Sequence, residues 1–502
     1  MCHINFTPDE VLVRFFDGCT TLKELKNCAF VSKRWFEVAQ EHPIFWSCAQ
    51  VGIRHTLELF LRRLNRRRGL PVIVRAYVYG SEWHDATFKA IAENMHRITD
   101  LKVETSAEER VLQDLSACAP ILETLSLRGS LRRESWSHLT SAPHHFLGGY
   151  APLLTSVELA DVAWVFNAQN SIILPTVLNV SVKCSLAFQV PGHELEGTPE
   201  WLIPPDALDR IATAFPGMVS LKLSLSITRA VFMLDGRLPY LHPFLAAPPS
   251  EGTKRVLGQL RALQARWCAS GWSVIQHFPI ASIAQVDIRT EYQDTDVALA
   301  CVPQVSFAVY VGVVEPDIQC DYEGTIRIYT DGNALQRTIV APVEDCWSLS
   351  VLGPILLSQF QHLCLLSITD AAFECLLNCG VDDLPALWAL RIELVSYWLS
   401  ARLPTYRAVD EENDPVSCSA LRVLMFEADV PLQDMSAKDL ESFLDLIDAE
   451  RDAVTLGLRG LKVTDDLHGF AASMFERVVV DNAVLGEGWM TRAHRLSDVP
   501  AM

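Results

Sequence analysis

Apolar residues follow two regimes along this chain. Near its start they recur at helical spacing. Val11, Leu12, Phe15 and Phe16 gather on one helical stripe. Thr7-Pro8-Asp9-Glu10 ahead of them is a helix-start signal: a hydroxyl residue, proline at the first helical position, and acids where the helix dipole favours them. Gly18 ends this helix. Leu22, Leu25 and Ala29, then Trp35, Val38 and Ala39, continue as further helical faces, and Pro43 punctuates before Ile44-Phe45-Trp46. The pattern predicts a helical module over residues 1–48, too small to bury itself. A connector over 49–70 comes next. Leu57, Phe60, Leu61 and Leu64 form a stripe, and Arg62, Arg63, Arg66, Arg67 and Arg68 are expected as a solvated basic helix end. Gly69 stops this helix, and Pro71 to Val78 reads as a strand.

The second regime is short extended cores. Ten segments fit an apolar-x-x-apolar-x-apolar template, beginning at Ile98, Leu122, Leu154, Val177, Met218, Ile283, Leu363, Leu387, Leu421 and Leu458. Chance supplies many such matches, so the template needs corroboration, and proline provides it. Pro120, Pro152, Pro175, Pro216 and Pro385 each stand two residues before the first apolar position. With 26 prolines in 502 residues, ten positions carry about half a proline by chance. Proline there ends a helix and enters an extended strand. Amphipathic stretches precede several segments: 84–97, 108–118, 207–215, 371–379 and 436–451. Helix, proline and short strand in repetition resemble a leucine-rich-repeat array, whose units are buried only by stacking. The spacing is irregular, and the Asn or Cys that usually comes after the repeat strand is missing; Ser130, Ser185 and Ser226 stand at such places. The expectation is a degenerate solenoid over 71–490, with insertions near 237–253 and 302–338 projecting from one face, and a tail over 491–502.

Composition narrows the function classes. Half the residues are apolar and 21% are charged, as in a folded protein. No apolar run is long enough for a membrane span, and a secretory signal pattern is lacking, so a cytoplasmic or nuclear protein with reduced cysteines is expected. The net charge of −19 argues against general nucleic-acid binding. Residues 1–75 nevertheless carry twelve Lys/Arg against seven Asp/Glu, so the acidity belongs to the body. No catalytic set emerges. Gly148-Gly149 after His144-His145 has no phosphate-loop lysine, His193-Glu194 lacks a second histidine, and Cys375 and Cys379 lack a matching ligand pair. Neither an enzyme, a metal nor a cofactor is expected.

The order of residue types in the module resembles an F-box, the unit by which substrate receptors dock onto the adaptor of a cullin-type ubiquitin ligase. Pro8 and Glu10 are similar to its opening, and Leu12, Phe15 and Phe16 to its first apolar ridge. Leu25 comes next, on the second helix. Val31-Ser32-Lys33-Arg34-Trp35 is similar to its Val-Cys-Lys-x-Trp signature, and Trp46 to its closing tryptophan. Thr7 stands where leucine is usual, Ser32 where cysteine is common, and the stretch from Phe16 to Leu25 is about one residue long. A helix with a basic end, then Leu-Pro and a strand, resembles the segment directly after the F-box in many fungal receptors. The resemblance implies an α/β chain, a three-helix F-box ahead of a solenoid of alternating helices and short parallel strands. It implies that Pro8, Glu10, Leu12, Phe15, Phe16, Leu25, Val31, Trp35 and Trp46 form the adaptor-binding face, with Phe15, Phe16, Val31 and Trp35 as interface anchors. The partners implied are the adaptor, cullin through it, and a protein substrate, with no nucleic acid and no membrane. The alternative is a non-degradative scaffold built from the same parts.

Overall fold

A computed structural model of the chain describes residues 7–19, 22–52, 56–65, 69–79, 81–105, 114–129, 146–161, 172–186, 206–227, 248–267, 275–290, 301–303, 307–314, 323–330, 335–342, 360–369, 372–373, 376, 381, 383–394, 415–428 and 433–481. The fold is mixed α/β with mostly parallel sheet, and it divides into two compact units, Met1–Leu260 and Arg261–Met502.

The first unit opens with three short helices, α1 (Asp9–Asp17), α2 (Leu22–Ala29) and α3 (Lys33–Glu41), and a single tight turn at Pro43–Trp46. Pro8 occupies the N-cap rather than the first helical position, and its carbonyl accepts from Val11 and Leu12. Strand β1 (Cys48–Val51) precedes helix α4 (Leu57–Asn65), so the sheet begins inside the predicted connector. Next come β2 (Val72–Val78), α5 (His84–Asn94), β3 (Ile98–Thr105), β4 (Thr124–Arg128), β5 (Ser156–Ala160), β6 (Asn179–Leu186), α6 (Ala207–Ala214), β7 (Ser220–Ile227) and α7 (Glu251–Leu257). Each of β1 to β7 pairs in parallel with the next in chain order. A parallel ladder without crossings places each strand beside its predecessor.

The prolines enter strands as the spacing predicts, but through a turn, and among the described residues only α6 is an α-helix directly ahead of one, Pro216. Ala119-Pro120-Ile121-Leu122 closes with the Leu122 amide on the Ala119 carbonyl. The same bond closes the turns at Pro152, Pro175, Pro216 and Pro385, and equivalent turns without proline run 257–260, 280–283, 418–421 and 451–454. Proline's fixed φ suits the second position of such a turn. The residue that closes each proline turn is buried, and the strand begins two residues on. Stacked units are tied at the same point: Glu123 donates to Thr99, Thr155 to Glu123, Leu178 to Thr155 and Val219 to Leu178.

The second unit contains β8 (Ala262–Trp267), β9 (Gln285–Thr290), β10 (Phe307–Val314), β11 (Glu323–Thr330), β12 (Gln336–Pro342), β13 (Leu363–Thr369), β14 (Ala389–Leu394), β15 (Val416–Ser417), β16 (Val423–Ala428), β17 (Gln433–Asp434), α8 (Ala437–Leu444), β18 (Ile447–Asp448), β19 (Thr455–Arg459), β20 (Leu461–Lys462), α9 (Asp465–Met474) and β21 (Arg477–Asp481). Helix α8 starts at a reciprocal cap, in which Ser436 and Asp439 satisfy each other's backbone N–H. Across the main sheet the strands lie in the order β8, β9, β12, β11, β10, β13, β14, β16, β19, β21. All pairs are parallel except the two made by β11.

Two expectations need correction. The segment 302–338 does not project from the sheet where it is described. Its strands enter the ladder as an antiparallel meander set in reverse order between β9 and β13. The template beginning at Leu458 is out of phase, because Val454, Leu456 and Leu458 are the buried residues of that strand, while Leu461 belongs to the two-residue β20. The helices expected over 84–97, 207–215 and 436–451 correspond to α5, α6 and α8. Residues 106–113, 237–247 and most of 371–379 lie outside the described residues, as do Arg66, Arg67, Arg68 and the tail over 491–502.

Candidate protein-docking surface

The helical module has a core of its own. Leu12 and Phe16 from α1, Leu25 and Ala29 from α2, Trp35 and Ala39 from α3, and Phe45 and Trp46 from the turn after α3 form one buried cluster. Its rings meet edge to face: Phe16 lies 5.6 Å from Trp35, and Phe45 lies 5.2 Å from Trp46. Polar contacts fix the ends. Ser32 caps α3 by accepting the Trp35 amide at 3.3 Å. Arg34 donates to Asp9 at 2.7 Å, holding the start of α3 against the start of α1. His42 is buried; its Nδ1 accepts the Ile44 amide, which leaves Nε2 to donate to Asp17 at 3.1 Å. The indole N–H of Trp46 donates to the Gln40 carbonyl, whereas that of Trp35 is buried without a hydrogen-bond partner. The thiols of Cys19 and Cys28 stand 4.0 Å apart as free cysteines.

Several large apolar side chains also stand outside this core. Phe30 is 80% exposed, Phe15 53%, Val31 52% and Val11 51%, and Phe36 and Val13 are also exposed. Val11 and Phe15 stand one turn apart on α1. Phe15 rests its ring on Trp35 at 5.3 Å. Phe30 and Val31 lie between α2 and α3, three or four residues ahead of the Arg34 that pairs with Asp9 of α1. The rim carries Pro8 and Glu10, both exposed. The nine residues expected as adaptor-binding therefore separate into two sets. Phe15, Val31, Pro8 and Glu10 are on the surface. Leu12, Phe16, Leu25, Trp35 and Trp46 are the floor beneath it, already buried by their own chain.

Phe30 and Phe36 were absent from the expected set. A signal existed: Phe30 falls just after α2, beyond its Leu25–Ala29 stripe, and Phe36 lies off the Trp35–Ala39 stripe of α3. Arg63 also departs from expectation. It is buried, donates to the Cys48 carbonyl at 3.1 Å and lies 5.8 Å from the Phe45 ring centre, tying α4 to β1 and to the helical module. Burial pulls its guanidinium below the ordinary arginine range.

Elsewhere the described residues hold no group of three or more His, Cys, Asp or Glu side chains able to share a metal ion. Cys375, Cys379, His144, His145, His193 and Glu194 lie outside the described residues. No helix among the described residues is long and apolar enough to cross a membrane. Buried ions are present in the second unit. Arg391 meets Glu427 at 2.6 Å and Glu393 at 3.1 Å, Arg459 meets Glu427 at 3.3 Å, and Ser367 donates to Glu393 at 3.2 Å. These groups tie β13, β14, β16 and β19 together.

Compared with known proteins, the chain matches no family model and no curated sequence.

Proposed function

We propose that this protein is the substrate receptor of an F-box-type cullin ubiquitin ligase. The helical module docks the ligase adaptor, and the strand-and-turn body is a degenerate leucine-rich-repeat-like solenoid that holds a protein substrate. The protein does no chemistry itself. It raises the effective concentration of the substrate beside the ubiquitin-loaded enzyme. One observation carries the reading: a three-helix module with a complete core of its own still presents Val11, Phe15, Phe30 and Val31 to solvent. Exposed apolar side chains gathered on one small module mark an interaction surface, and two of these four stand at positions where the F-box resemblance puts adaptor contacts.

The test is co-purification of the tagged full chain beside a Phe15→Asp/Val31→Asp variant. Adaptor and cullin should accompany the wild type and be lost from the variant, while the variant still unfolds cooperatively, with its melt lowered only by the roughly 1 kcal/mol that the Phe15–Trp35 contact supplies. A folded wild type that captures neither overturns the ligase reading. Capture without turnover of any bound partner, under conditions where proteasome inhibition changes nothing, assigns the chain to the scaffold alternative.

A further inference from the structure

From β2 to β7 the first unit's sheet turns one set of side chains into its core and the alternate set the other way. Every charged residue on these strands belongs to the second set. It holds five cations, Arg75, Lys102, Arg128, Lys183 and Lys222, against three acids. This surplus lies in a chain of net charge −19. The acids are engaged locally. Glu104 takes Lys102 at 3.2 Å, Arg128 at 3.8 Å and the Tyr79 hydroxyl at 2.8 Å, while Glu158 accepts from Ser126 at 3.0 Å. Asp100 lies in the field of Arg75 and Lys102. Lys183 and Lys222 have no ion pair among the described residues. Between these cations stand short polar side chains, with Thr124, Ser156, Asn179 and Ser220 in register across β4 to β7 and Ser181 in register with Lys222. Arg75, Asn179 and Lys222 are exposed, so the face is open to solvent at these points.

We infer that this face binds an extended acidic segment of a protein partner, with Lys183 and Lys222 as its main charge contacts. The inference rests on the receptor reading and deepens it by giving the chemistry of what the body holds. Five inter-strand steps of about 4.8 Å separate Arg75 from Lys222, roughly 24 Å in all. An extended segment of about seven residues covers that span. Serine, threonine and asparagine side chains between the cations leave room for a backbone and offer it hydrogen bonds. A nucleic acid is the poorer occupant, because its phosphates need many more uncompensated cations than this face supplies, and the acidic remainder of the chain repels it.

The experiment is fluorescence anisotropy of the full chain with labelled peptides of about twelve residues, one of alternating Glu and Ser, one of Gly and Ser, and one of Lys and Ser. The acidic peptide should bind at least about ten-fold tighter than the neutral one and weaken as salt is raised. Lys183→Glu/Lys222→Glu should weaken it by a further factor of about ten, and Lys183→Gln/Lys222→Gln by less, with unchanged melting of both variants. Equal binding of acidic and neutral peptides, or full affinity in the charge-reversed variant, overturns the inference. So does tighter binding of a single-stranded oligonucleotide of matched charge. Adaptor capture is read in the same preparations. Its loss with peptide binding intact counts against the ligase reading alone, and the converse counts against this inference alone.

Discussion

Phe15 and Phe16 are neighbours in sequence and opposites in consequence. Phe15 is 53% exposed and Phe16 is fully buried. A phenylalanine presents about 150–250 Å², so roughly 80–130 Å² of Phe15 stands open to a partner. At about 25 cal/mol per Å², complete burial of that area in an interface is worth about 2–3 kcal/mol, or roughly 30- to 150-fold in Kd. Phe15→Ala should therefore weaken adaptor binding by that factor and cost the folded chain only about 1 kcal/mol, since half the ring leans on Trp35. Phe16→Ala removes a ring that touches no partner. It should cost about 3–5 kcal/mol of stability and lose adaptor capture only through damage to the module. Trp35→Ala belongs with Phe16, because the indole is covered by its own chain. The assay pairs calorimetric titration of purified adaptor into each full-length variant with thermal melting of the same samples. Wild-type affinity in a folded Phe15→Ala chain refutes the reasoning, as does an unaltered melt with weakened binding in Phe16→Ala.

Three further outcomes are expected. Glu427→Ala removes the buried carboxylate that buried Arg391 and half-buried Arg459 share, while Arg391 keeps Glu393, and should destabilise the chain by about 3 kcal/mol in urea unfolding; a loss under about 1 kcal/mol contradicts the buried-ion account. Gly52 holds φ +118 at the end of β1, where an added Cβ would lie 2.6 Å from the Tyr77 Cβ and carbonyl, so Gly52→Ala should lower the melting temperature, and an unchanged melt contradicts the close approach. Burial pushes the thiols of Cys301 and Cys418 up to about 12. Both should stay unlabelled by iodoacetamide at mildly alkaline pH until denaturant is added, whereas exposed Cys118 should label in the native chain; mass spectrometry of the digests decides.

Much of the fold was legible in the sequence where local chemistry and burial agree. The proline two residues before each apolar position marks a turn whose geometry proline itself favours, so the strands at Leu122, Leu154, Val177, Met218 and Leu387 stand where the pattern puts them. Strand β8 escaped because Ala265 fills a core position that an aliphatic template does not count. Leu458 misled because Val454-x-Leu456-x-Leu458 and Leu458-x-x-Leu461 overlap, and only the pairing with β16 chooses between them. At the candidate site, the sequence marked the apolar positions of the helical module without separating the exposed from the buried. That distinction depends on which side of α1 and α3 the rest of the module covers, a tertiary property. Arg63 escaped for the same reason: a helix end rich in arginine looks solvated until a carbonyl and a ring are found beside one member.

The reversed meander bears on the order in which the second unit can assemble. Strands β10 to β12 pair through hairpins, each with its neighbour in sequence, and so form from local contacts. Their outer edges are different. The Arg337 guanidinium reaches the Ala284 carbonyl across 53 positions, whereas Ala151 accepts from Thr176 across 25 in the first unit. The pairs β9–β12 and β10–β13 join segments far apart in sequence, whereas β10–β11 and β11–β12 join neighbours. Distant pairings of this kind slow folding. The meander is therefore a kinetic gate. During synthesis the first unit can extend strand by strand as it emerges, whereas β9 gains its partner β12 only once residue 342 has emerged.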